Sequence, residues 1–376
     1  MSYRYKTIEG TPEISGKRVV MLADFSVPIE NGEITDDYRL MMTLPTIKLL
    51  REKGAILTVI SKIGDDGSQS LRPVVGYLEK ELAQKIAFTT SIEETVSAVK
   101  HGRQGSVIII ENIRRFKGEK ENDPGLAKEF ASFGEYFVNE GFSVSHRPYA
   151  SVVGVAKLLP SYAGLLFDRE VKNLSRAFTP EHPFVLILGG KKAETKIPLT
   201  ERFIDSADVV IMGGALANDF LKAKGLPVGR SVVSGKELIK KEWFSNPKFL
   251  IPDNLIVQNG SGSREISPNE VGPDDMIVDV GPEFLTKAAR VLKEAKFVVW
   301  NGSFGICEKG FETGTRGIAE EVVSSGAFSI VGGGDTTAAI DAFKMTNKFS
   351  FVSTGGGAML DFLANGTLPG LEALEK

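Results

Sequence analysis

The chain has 376 residues, 42% hydrophobic and 25% charged, with a formal net charge of −3 and a single cysteine. That length exceeds what one core usually serves, so two domains are expected, and the slight negative charge excludes a general nucleic-acid binder. Cys307 alone excludes an internal disulfide, three histidines make a zinc site a poor prospect, and no uncharged apolar run approaches a bilayer span.

Met1 to Gly10 is polar and lacks the apolar core of a signal peptide, so a cytoplasmic protein without a membrane partner is expected. From there apolar, strand-favouring runs alternate with amphipathic stretches, the pattern of βα units and parallel sheets. In the first half, strands are expected at Arg18–Ala23, Ala55–Ser61, Ser106–Glu111 and Glu135–Val138. Helices are expected at Asp36–Lys53, with Thr35 as N-cap and a kink at Pro45, and at Leu71–Leu82. Ser161–Thr179 reads as one long helix, a natural strut between domains, which places the boundary near Asp168. In the second half the strands are Phe184–Leu188, Asp208–Met212, Phe297–Trp300, Ser329–Val331 and Phe351–Ser353. Ser234–Asp275, rich in Asn, Ser, Gly and Pro, reads as an irregular surface excursion.

The glycines carry the chemistry. Gly332-Gly333-Gly334-Asp335-Thr336 and Ser353-Thr354-Gly355-Gly356-Gly357 each follow a strand and precede a helix, expected over Thr337–Phe343 and Met359–Leu363. Such loops bring bare N–H groups and the positive end of a helix dipole up to a phosphate. Two of them, the first ending in Asp-Thr, point to a polyphosphate with its metal. Other phosphate fingerprints fail: no G-x-G-x-x-G follows a strand, and Gly229–Lys236 is too long for a P-loop, with Glu237 where Ser or Thr is needed. A third loop, Gly189-Gly190-Lys191-Lys192, sets Lys192 and Lys196 four apart; were the region helical they would share a face and one anionic ligand.

Taken in order, Asp24–Pro28, Ile34–Arg39, Glu111–Phe116, Ser145–Arg147, Gly189–Lys192, Trp300–Gly302, Gly332–Thr336 and Ser353–Gly357 resemble the motifs of the phosphoglycerate kinase family, over about Lys17 to Leu374. The resemblance implies two Rossmann-like α/β/α domains with parallel sheets joined by a hinge helix: 1–168 for the acid substrate, 169–355 for the nucleotide, and 356–376 returning to the first. It implies direct in-line phosphoryl transfer between 1,3-bisphosphoglycerate and Mg-ADP, giving 3-phosphoglycerate and ATP, in a monomer that takes small molecules only.

By that resemblance Lys196 contacts the transferring group, as do Arg39 from the other domain and the helix start at Gly355, Gly356 and Gly357. Lys192, Gly190, Gly333, Gly334 and Thr336 serve the nucleotide phosphates, and Asp335 the Mg²⁺. Glu308 takes the ribose, and Gly213 and Gly214 border the adenine pocket beside Asn301. Asp24, Phe25, Ser26, Arg39, Lys62, Asp65, Arg115, His146 and Arg147 form the acid-substrate side.

The departures cluster on that acid side. Ser26 stands for the family's Asn, Leu22 for an Arg, and Ser61-Lys62-Ile63-Gly64-Asp65-Asp66 for Ser-His-Leu-Gly-Arg-Pro. Lys62 keeps a cation, but Asp65 sets a carboxylate where a phosphate-binding Arg is expected, with Arg114 a candidate compensator. Ser143 and Ser303 are smaller changes. A related kinase for another acid, and a nucleotide-binding module without turnover, are the rival expectations; a dehydrogenase lacks its fingerprint.

Overall fold

The computed structural model describes residues 3–10 and 13–375. The chain divides into two compact units, Met1–Lys172 with Asn365–Lys376, and Asn173–Ala364. The sequence expectation put these edges at 168 and 356; residues 356–364 cluster with the second unit.

The first unit is built on a six-stranded parallel sheet in the order Ala87–Thr89, Val107–Ile110, Ile56–Lys62, Arg18–Asp24, Tyr136–Asn139, Ser161–Ala163. Its central strands are apolar on both faces because both are covered, as parallel sheets require. Val19, Met21 and Ala23 pack with Leu40, Leu44 and Ile47 of the Tyr38–Glu52 helix and with Val74 and Leu78 of Arg72–Leu82. Val20 and Leu22, one residue out of phase, pack with Val99 of Ile92–Lys100 and with Leu126 and Phe130 of Pro124–Ala131. One alternating strand thus feeds two cores, which makes the unit three layers deep.

The second unit repeats the plan in the parallel order Phe249–Leu250, Val209–Met212, Phe184–Leu188, Phe297–Asn301, Phe328–Gly332, Phe351–Val352. Phe184 to Leu188 are entirely buried.

Three sequence expectations are corrected. Ser161–Ala163 is not helical; it pairs with Phe137–Asn139 at the sheet edge, and the helix begins only after Gly164, at Leu165–Ser175. Available ladder hydrogen bonds outweigh a weak local helix preference. Ser234–Asp275 is not wholly irregular: Leu255–Asn259 and Gly262–Ile266 form an antiparallel hairpin that pairs with Met276–Val280, with Leu255, Val257 and Val271 packed on Leu221. Thr35 is not the cap of the first helix. Its N–H bonds to Pro28 O at 3.1 Å, and the helix starts at Tyr38 after Asp37.

Candidate active site

In the second unit every strand of the main sheet runs the same way, so their C-terminal ends form one edge. Leu188, Asn301 and Gly332 are neighbours in register, with Met212 beside Leu188. That edge is where α/β sheets bind ligands. The loops leaving it touch one another through backbone. Gly189 N–H bonds to Asn301 O at 3.0 Å and Gly190 N–H to Ser303 O at 2.8 Å. Gly302 has φ +108°, and a Cβ there would lie 2.1 Å from Gly189 O, so both conformation and space demand glycine.

Gly333, at φ +100°, caps the Gly334–Ala342 helix, whose first turn carries Asp335, exposed, and Thr336, buried. The Thr336 hydroxyl accepts the Gly302 N–H at 2.8 Å, so this side chain ties two loops together. The second glycine loop opens the Gly357–Asn365 helix, and Gly355 N–H bonds to Ser353 Oγ at 3.0 Å.

Lys196 is 7% exposed, and its ammonium donates to Asn301 Oδ1. Burial pushes it down to about 8; the Asp335 carboxylate opposes that shift, and the Lys192 charge adds to it. The expected common helix face for Lys192 and Lys196 is not formed. Lys192 precedes a short 3-10 turn at Ala193–Thr195, and the Ile197–Phe203 helix starts after Lys196. The loop leaves Lys192 exposed and turns Lys196 inward.

An apolar cleft lies beside Gly190 and Gly214, lined by Val232, Pro252, Leu255, Val280, Phe304 and Ile306 among others. Its far wall comes from the hairpin region that the sequence had set aside as an excursion. Pairing of Leu255 with Val280 is visible only in the register. Asn301 lies outside this cleft, spending its side chain on Lys196 and on Met359 Sδ. Glu308 lines the cleft and pairs with Lys191 at 2.6 Å; both side chains are more than half exposed. Such a pair contributes only about 0–1 kcal/mol, so Glu308 remains available to a ligand. Asp279 in the cleft wall was missed by sequence reasoning: burial pushes its carboxyl up to about 6, against the Gly314 and Val280 N–H groups that it accepts.

In the first unit the polar cluster also sits at the C-terminal ends of the strands, where Asp24 and Lys62 are register partners. Asp24 is 5% exposed. It accepts from Arg39 Nη1, Ser143 Oγ and Ser26 N–H, and Lys62 Nζ stands 3.5 Å away. Burial would raise its carboxyl, but the Arg39 and Lys62 charges outweigh burial and hold it well below the usual carboxylate range. Lys62 Nζ also donates to Ser26 Oγ at 2.7 Å. The two departures therefore meet: the long lysine reaches the short serine. Ser143, noted in the sequence only as a small change, completes the cluster.

Other expected residues are placed differently. The Phe25 side chain is fully buried in the core, so only its backbone can face a ligand. Arg115 is occupied by Gly67 O at 2.9 Å and Glu111 at 3.1 Å, pinning the loop that contains Asp65. Asp65 is exposed, and its carbonyl accepts Lys120 Nζ at 2.9 Å. Arg114 cannot compensate it. Its side chain is 5% exposed, 3.6 Å from Glu119 and stacked on Tyr149, because the first of the paired arginines points into the core. His146 is half-buried and Arg147 exposed on the loop after Ser143.

The phosphoglycerate kinase family pattern matches residues 10–366. The phosphoglycerate kinase of Thermosipho africanus is 38% identical over 385 residues, 96% of each chain, and that of Borrelia garinii subsp. bavariensis is 36% identical over 390 residues, 99% of each. Among solved structures, the Coxiella burnetii phosphoglycerate kinase superposes with a TM-score of 0.86 at 36% identity, and the Pyrococcus horikoshii enzyme with 0.87 at 29%, each covering 98% of both chains. With both unit folds, the glycine-loop edge and the Asp24–Arg39 cluster in place, the chain belongs to the phosphoglycerate kinase family.

Proposed function

We propose that this chain transfers a phosphoryl group directly between 1,3-bisphosphoglycerate and Mg-ADP, giving 3-phosphoglycerate and ATP, with the Asn173–Ala364 unit taking the nucleotide and the Met1–Lys172 unit the acid. The observation that carries this reading is Lys196: a buried ammonium held by Asn301 at the sheet edge where the glycine loops after Leu188, Asn301 and Gly332 come together. Phosphoryl transfer asks for positioning and charge neutralisation rather than a nucleophilic side chain, and this edge offers both. Lys196 and Arg39 neutralise the transferring group, Lys192 and the N–H groups at Gly333 to Thr336 hold the nucleotide phosphates, and the cleft beside Gly214 receives the base with Glu308 on the ribose. The Gly355–Gly357 helix start faces the charge that develops on the transferred group.

Among the described residues no group of three or more His, Cys, Asp or Glu side chains could hold a metal alone. Asp335 is a single exposed carboxylate at a helix start, which suits Mg²⁺ brought in on nucleotide phosphates and completed by them. Bound there, Mg²⁺ would supply charge neutralisation on the phosphates.

On the acid side, Asp24 and Ser26 orient the glycerate end, Lys62 adds a fixed positive charge, and His146 and Arg147 meet the far phosphate. Arg115 acts chiefly by holding the 63–70 loop. The Lys62–Ser26 pair favours an anionic acid, and it is also the observation behind a second reading, a related kinase for another small acid. A monomer working in the cytoplasm completes the proposal.

The test is a coupled assay of ADP formation from Mg-ATP with 3-phosphoglycerate and a panel of small acids. Turnover with 3-phosphoglycerate above every other acceptor is expected. Absence of turnover with it overturns the proposal, and a better acceptor elsewhere in the panel selects the second reading.

A further inference from the structure

A carboxylate that the reaction does not use lies buried in the first unit. Glu140 is 2% exposed and is held by uncharged groups: Oε1 accepts the Thr46 hydroxyl at 2.5 Å and Leu166 N–H at 3.1 Å, and Oε2 accepts Phe167 N–H at 3.5 Å. Thr46 Oγ1 in turn accepts Leu165 N–H at 3.1 Å. These three N–H groups are the first of the Leu165–Ser175 helix, which leaves the first unit at Lys172. An unpaired helix start needs such acceptors. Gly164 is shaped to the contact, since a Cβ there would lie 1.8 Å from Glu140 Oε2.

The two acceptors sit on the elements that hold the acid cluster. Thr46 is seven residues, two turns, beyond Arg39 on the Tyr38–Glu52 helix, and so lies on the same face. Glu140 is three residues before Ser143, and its own N–H is bonded to Leu22 O at 2.9 Å, two residues before Asp24. Arg39 and Ser143 both donate to Asp24. The elements that meet on Asp24 at one end thus meet again on the start of the linking helix at the other.

We propose that Glu140 and Thr46 are positioning residues for phosphoryl transfer: together they tie the elements carrying Arg39 and Ser143 to the first turn of the linking helix, so that the acid cluster and that helix move as one body. This rests on the acid-side reading above. Burial raises the Glu140 carboxyl to about 8 against its hydroxyl and N–H donors, in keeping with a group that is packed for position rather than charge.

The test uses full-length Glu140→Gln and Thr46→Val, with Tm, the dissociation constant for Mg-ATP, and kcat and KM for 3-phosphoglycerate. Glu140→Gln is expected to lower kcat/KM for the acid about 10- to 100-fold, the scale of a small misplacement of reacting groups, with Mg-ATP affinity unchanged. Thr46→Val should act in the same direction by a smaller factor. A fall in Tm with kcat and KM unchanged would make the contact merely structural and overturn the proposal. Should Glu140→Gln not fold, Thr46→Val alone decides, and unchanged kinetics there overturns it too. If Arg39→Met also leaves kcat and the acid's KM untouched, the acid-side reading itself has failed; if only the Glu140 and Thr46 variants are silent, the positioning role alone is lost.

Discussion

The edge proposed for the nucleotide and the cluster proposed for the acid both lie at the C-terminal ends of a parallel sheet, yet they are made from different material. The first is mostly backbone: glycine loops hydrogen-bonded to one another, with Lys196 as a buried cation. The acid cluster is mostly side chain, with Asp24 gathering Arg39, Ser143 and Lys62 from three separate elements. A backbone site is written locally, because a strand, two glycines and a helix start are consecutive in the chain. A side-chain site depends on partners tens of residues apart, so substitutions can be exchanged within it, as Lys62 with Ser26 illustrates.

The largest expected effect is at Lys196, the buried ammonium on the backbone edge. Lys196→Met should lower kcat by about 10³-fold, on the order of 4 kcal/mol, the scale of losing a preorganised donor to developing charge. The same ammonium is present below its pKa, so in the wild type kcat/KM for Mg-ATP should fall as pH rises through about 8. A flat profile to pH 9.5 would show that Lys196 is not the group being titrated. Next is Gly302→Ala, where positive φ and a backbone clash combine. A loss of roughly 2–4 kcal/mol in the second unit is expected by denaturant unfolding, and a loss under about 0.5 kcal/mol would mean that the loops are less tightly joined than their hydrogen bonds indicate.

Arg39→Met tests the side-chain site. It removes a charge-assisted bond to Asp24, worth about 1.5–3 kcal/mol at neutral pH, and it should raise KM for 3-phosphoglycerate. The sign with pH follows from the depressed Asp24 carboxyl: its stabilisation is present above the unfolded pKa near 3.9 and is lost as pH falls through the folded value. The difference between wild type and variant should therefore shrink in acid, and a gap that widens below pH 4 would contradict the pairing. The smallest effect is expected for Asp65→Arg, on an exposed loop position pinned from below by Arg115 and Lys120. KM for 3-phosphoglycerate should change less than about twofold, as for most surface charges; a several-fold drop would put Asp65 in the site after all.

This contrast explains what was legible. The main strand runs between Arg18 and Phe351 and the glycine loops that follow them are set by neighbours in the chain, whereas the inward turn of Lys196 is not, since the local spacing suggested a helix face shared with Lys192 that does not form. Less was visible where one residue answers to distant ones. Of the paired arginines, Arg114 turns to Glu119 and Tyr149 while Arg115 takes loop carbonyls, and nothing in the dipeptide distinguishes them. The hairpin at Leu255–Ile266 was hidden by its polar, Gly- and Ser-rich turns, although its inward residues Leu255 and Val257 alternate as a half-buried strand should.

The amino-acid sequence by itself determined the class of this protein: alternating apolar periods require sheets covered by helices, and glycines after strands allow the loops to turn sharply and approach one another at a sheet edge. Tertiary structure alone decided which polar side chains are spent on the fold and which remain for a ligand. Burial, register and charge pairing are properties of residues brought together from afar. That is how Asn301 comes to hold Lys196, how Ser143 joins Asp24, and how Glu140 receives the first turn of the linking helix.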